Sequence, residues 1–415
     1  MSQGRLIVAC DFGTTGFRAL VTETTSNGDL EIVGCATEKV DGFQDGDFVD
    51  LGAGARCIAR CIRELEADSD IYVSGFTYNI AGSHLHSVRA TAQVSIGPGP
   101  RPIRQSDVDE VIKMARSMAI PFDQKILTVT PVEYSVDRVR GIIDPLGRVG
   151  SLLEIQAHLV TGSRSVLNNI ENAVETAKYK PLGEEVDVMA AGMALLEPQE
   201  KDQGVMLIDL GGEITNWAVY RKGAILANGS IPWGGNHLTA DLAHGLRVEW
   251  DEAENIKRQR GVVMRNLVPE VSLSALFEEE RPEGTKGLIA AILEPRMEEI
   301  LTMVKNDFGD LRELASLGAG VVLTGGGSLC RGTKSLCEEI FDLQARKRYL
   351  PRKLAGAEQL PEGQWATVIG LCRWSARDVS QIGPEEDQGQ GGGLLGKLRG
   401  MFRKSEKADE MVAEG

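Results

Sequence analysis

The sequence predicts an α/β fold of two related lobes, and three observations carry that prediction. The chain has 415 residues, more than one hydrophobic core usually supports, since domains run at roughly 100–200 residues each. A short apolar run at residues 6–10 ends in the turn Asp11-Phe12-Gly13-Thr14-Thr15, and a second strand-like run follows at 17–22. The same order recurs at mid-chain: residues 205–208 lead into Asp209-Leu210-Gly211-Gly212-Glu213-Ile214-Thr215 and then into 217–220. Strand, tight turn and strand repeated at so long a period is the trace of a duplicated lobe.

Composition narrows the class. At 42% hydrophobic and 25% charged residues the chain has the make-up of an ordinary globular protein. Its net charge of −15 argues against a nucleic-acid binder, because no concentrated basic face is visible in the body. The seven cysteines, Cys10, Cys35, Cys57, Cys61, Cys330, Cys337 and Cys372, are odd in number and form no CxxC pair; they read as reduced thiols. The brief apolar run before Asp11 is too short for an export signal, and no stretch approaches the ~18 apolar residues of a membrane span. A cytosolic protein is expected.

Between the two turns, residues 106–118 carry Val108, Val111, Ile112 and Ala115 at helical spacing, with Ser106 as the expected N-cap. Residues 126–136 and 151–161 alternate as strands around the turn Asp144-Pro145-Leu146-Gly147, which suits a small inserted module. Residues 238–246 and 252–258 read as helices behind Gly234-Gly235, and 287–304 carries a helical apolar stripe. Residues 321–323 form a buried strand ending in Thr324-Gly325-Gly326-Gly327-Ser328. From Gly383 the composition changes to a linker of Pro, Glu, Gln and Gly.

The turns have the chemistry of a phosphate cleft. Gly13 and Gly211-Gly212 let backbone N–H donors approach an oxygen without an intervening Cβ. Asp11 and Asp209 suit Mg²⁺ held through water better than a bare phosphate. Thr14, Thr15 and Thr215 add hydroxyl donors. Gly325, Gly326, Gly327 and Ser328 offer a flat surface for an adenine and ribose. Neither GxxxxGK[ST] nor GxGxxG is present, which removes the P-loop class.

These three turns, in this order, resemble the phosphate and adenosine motifs of the actin, Hsp70 and sugar kinase superfamily. Within it the chain most resembles the FtsA family of bacterial cell division, from residue 6 to about 374 and again at the tail. Further matching stretches are Thr130-Pro131-Val132-Glu133-Tyr134-Ser135-Val136-Asp137, Gly234-Gly235-Asn236-His237-Leu238-Thr239 and Ala253-Glu254-Asn255-Ile256-Lys257. The resemblance implies an actin-like two-lobed ATPase fold, that is, duplicated RNase H-like domains with an inserted 1C-type subdomain. It places the first lobe at 1–82 and 166–200, the insertion at 83–165, the second lobe at 201–382, a linker at 383–393 and a membrane-targeting helix at 394–404. ATP and Mg²⁺ are the implied cofactors, with Gly235, Asn236, Glu254 and Lys257 beside the nucleoside. Glu254 and Lys257, one turn apart and so on one face, have a surface ion pair as the alternative reading. Asp187 falls where relatives often carry the acid that orients attacking water, and at most weak ATPase activity is expected.

Two departures stand out. Glu213 replaces the third glycine of the second turn; facing a γ-phosphate at about 4 Å it would repel by ~4 kcal/mol at a surface-like dielectric, whereas turned to solvent or metal it would leave binding intact. Gly16 stands where relatives often carry Lys.

In the tail, Leu394, Leu395, Leu398, Met401 and Phe402 fall within an arc of roughly 120° on a helical wheel. Lys397, Arg399, Arg403 and Lys404 flank or oppose that arc, the pattern of a helix lying in an anionic bilayer surface. Arg296 and Glu299 match the segment with which the family grips the FtsZ tail peptide. The resemblance therefore implies an FtsZ anchor at the cytoplasmic face of the membrane, at the division site. Such a protein self-associates into filaments and recruits later division proteins through the insertion. A sugar- or glycerol-type kinase and a pilus-assembly adaptor remain as alternatives on the same fold.

Overall fold

A computed structural model of the chain describes residues 4–117, 120–268, 282–361 and 364–377. The chain divides into a unit of residues 1–375 and a second of 376–415. The predicted linker, the tail helix and its residues Leu394, Leu395, Leu398, Met401 and Phe402 lie outside the described residues.

Two five-stranded sheets share one topology. In the first, Leu6–Gly13 is central, with Gly16–Thr24 and then Leu30–Glu38 antiparallel on one side and Gly75–Ile80 and Lys180–Val186 parallel on the other. In the second, Val205–Leu210 is central, with Thr215–Arg221 and Ala224–Ile231 antiparallel on one side and Val321–Thr324 and Ala345–Lys347 parallel on the other. Central strands covered on both faces read as continuous apolar runs, which is why 6–10 and 205–208 were visible in the sequence. The duplicated, two-lobed α/β fold is thus present.

The lobes exchange helices. Asp187–Leu195 leaves the first sheet and packs on the second, where a Cβ on Gly192 would collide with the Tyr220 hydroxyl. Ala366–Ala376 follows the second sheet yet reaches the first: Ser375 and Thr77 share a hydrogen bond of 3.0 Å, and a Cβ on Gly183 would lie 2.9 Å from the Trp374 ring. The two helices cross where Gly370 leaves room for the backbone of Ala190.

Between Gly75–Ile80 and Lys180–Val186 sits a module with its own core. Its sheet runs Val139–Ile142, Gln124–Val136, Leu152–Ser163, His86–Ser95, all antiparallel, and Gln105–Arg116 covers one face through Val108, Val111 and Ala115. Ser106 is not the N-cap of that helix. The helix starts at Gln105 with Arg104 at the N-cap position, and Asp107 in its first turn reaches back to accept the Arg104 N–H at 2.8 Å and a two-pronged ion pair from Arg101. The module also meets the second lobe, where buried His158 Nε2 lies 2.7 Å from Asn228 Oδ1 and Ser87 donates to the Asn228 carbonyl at 2.9 Å.

Candidate functional site

The equivalent hairpins of the two lobes face each other across a cleft of about 960 Å³. Thr14 and Thr15 form a two-residue loop closed by the pair Gly13 and Gly16, which sets Asp11 opposite Arg18. The second turn is wider, yet Asp209 stands opposite Asn216 at the same spacing. Asp11, Gly13, Thr14 and Thr15 line the cleft from one lobe, Asp209, Gly211 and Gly212 from the other, and Asp187 from the connecting helix. Gly235, Asn236, Glu254, Lys257, Gly325, Gly326 and Gly327 complete the wall.

Thr215 and Ser328, expected in the same wall, do not line it. Thr215 is fully buried and its hydroxyl donates to the Trp233 carbonyl at 2.7 Å. Ser328, also fully buried, donates to the Gly325 carbonyl at 2.7 Å and shares a 3.0 Å hydrogen bond with the Tyr349 hydroxyl. The Ser328 hydroxyl fastens its own turn, and that of Thr215 ties the second turn to the segment just before Gly234-Gly235.

Three carboxylates meet at the cleft floor. Burial and then the charge of Asp187 push Asp11 up to about 7, against the pull of Arg18 at 3.8 Å. Asp209 is raised well above its ordinary value by burial, Asp187 and Asp11. Burial also raises Asp187, opposed by hydrogen bonds from Thr367, Asn79 and Asn216. Buried carboxylates gathered in this way, with Arg18 the cation that opposes the rise of Asp11 and Asp209, suit a divalent cation, which would relieve the repulsion. Among the described residues no group of three or more His, Cys, Asp or Glu is arranged to hold a metal.

Around Gly235–Leu246 the contacts are already satisfied. The N–H groups of Gly235 and Asn236 donate to the carbonyls of Gly211 and Gly212 at 2.8 and 2.7 Å, which seats the second turn on the helix start. Lys257 Nζ reaches the Gly235 carbonyl (2.8 Å), Thr239 (2.7 Å) and Glu254 (2.6 Å). Burial raises Glu254, but hydrogen bonds from Lys257, Thr239 and Arg258 outweigh it and hold the carboxyl at about 2. Glu254 and Lys257 are therefore an ion pair and part of the cleft wall at once.

Glu213 follows neither of its two sequence readings. Its carboxylate accepts the backbone N–H of Asp45 from the other lobe at 3.1 Å. It lines a second cavity of about 430 Å³ with Gln44, Asp45 and Trp250, not the larger cleft. Outside the cleft, Arg296 pairs with Asp241 and Glu299 at 2.6 Å each and lies 4.7 Å from the Trp233 ring centroid.

Sequence reasoning missed Arg18, Asn79, Asn216 and Gln364, all in the cleft wall. Arg18 donates to Gln364 at 3.2 Å and supplies a cation in the first turn where Gly16 offers none. Hairpin register held the signal for Arg18 and Asn216, since a two-residue loop between Gly13 and Gly16 puts residue 18 across from residue 11. Asn79 had no local signal; it caps the first strand from a distant one, accepting the Phe12 N–H at 2.7 Å.

Comparison with known proteins places this geometry. The family described as "Cell division protein FtsA" matches residues 206–370, and "SHS2 domain inserted in FTSA" matches 82–161. The cell division protein FtsA of Neisseria meningitidis serogroup B is 31% identical over 97% of this chain and 99% of its own. The chain belongs to the FtsA family. FtsA of Escherichia coli K12 is 28% identical over 89% of this chain and 90% of its own. Among solved structures, the PilM–PilN type IV pilus biogenesis complex superposes with a TM-score of 0.62 at 15% identity, over 90% of this chain and 99% of that one. MreB5 of Spiroplasma citri bound to ADP gives 0.50 at 14%, over 88% and 94%. These likenesses confirm the actin-like fold, and FtsA membership makes this a cell-division protein rather than a sugar kinase or pilus adaptor. No helix among the described residues is long and apolar enough to cross a membrane.

Proposed function

We propose that this FtsA-family chain binds ATP with Mg²⁺ between its lobes and tethers FtsZ filaments to the inner face of the cytoplasmic membrane. The observation that carries the nucleotide reading is the pair of equivalent Asp-x-Gly hairpins facing across one cleft, with the Gly325 to Gly327 turn at its far end. Asp11 and Asp209 are the metal-facing groups and the Gly13, Gly211 and Gly212 backbones the phosphate-facing ones. Asp187 is the group for orienting water; its carboxylate is already held at both oxygens, which suits slow turnover and a scaffold that responds to nucleotide. Arg296 and Glu299 form the FtsZ-peptide surface, the inserted module receives later division proteins, and the chain self-associates.

The tether is assigned to Leu394, Leu395, Leu398, Met401 and Phe402 from their helical spacing and basic flanks. Sedimentation with anionic liposomes, with purified FtsZ and with or without MgATP, tests the whole reading. FtsZ should pellet with vesicles only when this protein is present, and deletion of residues 394–404 should leave both in the supernatant. Pelleting that survives the deletion rejects the tether.

A further inference from the structure

We propose that Glu213 is a positioning residue of the cleft: it fastens the second phosphate turn to the block that carries the first, and thereby sets how fast nucleotide leaves. The proposal rests on reading the cleft as a nucleotide site. Residue 213 sits in the turn itself, where a carboxylate aimed at phosphate would weaken binding. Instead its carboxylate crosses to the other lobe and accepts the Asp45 N–H at 3.1 Å, and the side chain lines the smaller cavity beside the cleft. An anionic acceptor makes this stronger than a neutral hydrogen bond.

The donor is held rigidly. Asp45 adopts φ 45°, and its own carboxylate is occupied by Ser83, whose hydroxyl donates at 2.6 Å. On either side of it Phe43 and Phe48 pack together with ring centroids 4.8 Å apart. Both rings pack on Phe12 and Phe17, the hydrophobic underside of the first phosphate hairpin, with centroids 5.6–6.4 Å apart. The Asp45 amide therefore moves with the first turn. On the acceptor side, the neighbouring Gly212 touches that turn directly, since a Cβ there would collide with Thr15 Cγ2. The hydrogen bond thus acts beside the point where the two turns meet, and its loss frees their separation.

Two measurements on the full chain test this. Hydrogen exchange of the peptide covering residues 43–48, without nucleotide, reads the Asp45 amide; stopped-flow chase of a fluorescent ATP analogue with Mg²⁺ reads release. Glu213→Ala should speed both about tenfold, equivalent to about 1.4 kcal/mol, with the melting temperature almost unmoved. Glu213→Gln keeps an acceptor oxygen and should stay within about threefold of the native chain, tenfold being the scale of a lost charged hydrogen bond. Unchanged exchange in Glu213→Ala overturns the fastening. Slower release in Glu213→Ala overturns it in favour of charge repulsion, and a Glu213→Gln variant that speeds exchange and release as much as Glu213→Ala overturns the acceptor role. If the native chain binds no analogue, the nucleotide reading fails, and the exchange measurement alone then decides the fastening.

Discussion

Asn79 and Asn216, brought from opposite lobes, each hold one oxygen of the same carboxylate, that of Asp187, at 3.1 and 3.0 Å. The acid on the connecting helix is thereby centred only when both lobes are in register. Asp187→Asn should lower phosphate release from ATP by about 100-fold or more, the scale of a lost general base, while nucleotide affinity by calorimetry changes little. Asn216→Ala leaves a buried carboxylate oxygen without its donor and should cost about 1–3 kcal/mol in urea denaturation.

Asp11 gives the empty protein a pH dependence of definite sign. With its folded-state value at about 7, the folded chain keeps a proton that the unfolded chain loses near pH 4. Stability of the nucleotide-free protein should therefore fall as pH rises from about 4 to about 7 and level off above, by roughly 2–4 kcal/mol from this group. Asp11→Asn should flatten that slope in denaturation curves at pH 5 and 8, making the empty protein more stable at pH 8 than the native chain. The same variant should lose the Mg²⁺ dependence of nucleotide binding.

Lys257 ties Gly235, Thr239 and Glu254 together. Lys257→Ala should weaken nucleotide affinity about tenfold or more, as expected for charged hydrogen bonds worth about 1.5–3 kcal/mol each, in titrations followed by intrinsic fluorescence. A Glu254→Gln variant keeps its bond to Thr239 and should lose less.

At Arg296 the guanidinium is aligned by Asp241 and Glu299 and lies over Trp233. Arg296→Ala should reduce affinity for an FtsZ C-terminal peptide at least tenfold by anisotropy, in the range of an arginine hot spot of about 2 kcal/mol. Equal affinity places the peptide elsewhere.

Much of the fold was legible because its signals are local. A central strand buried on both faces must be apolar, and the turn after it needs glycine, so both hairpins and the third turn could be read from short windows. The insertion showed itself through its own helix and strands. What escaped was set at long range. Glu213 was judged against solvent, metal and phosphate, but its partner lies 168 positions away. Asn79 reaches the first strand across 67 positions. Thr215 and Ser328 illustrate a different limit: a hydroxyl beside a glycine turn has the same sequence whether it faces a ligand or bonds backbone, and here Ser328 bonds its own turn and Thr215 the carbonyl of Trp233. Ser106 lost its capping place because Asp107 had Arg101 and the Arg104 N–H to satisfy.

The helix Ala366–Ala376 carries a consequence for the order of events during synthesis. It belongs to the first lobe by contact but is the last described element to be translated. The first sheet, whose strands are complete by Val186, must wait for it through nearly half the chain with the Thr77 and Gly183 surface uncovered. A nascent chain therefore cannot finish its first lobe ahead of its second, and the two mature together once residue 376 has been made. Truncations that stop before residue 366 should fail to yield a stable first lobe even though every strand of its sheet is present.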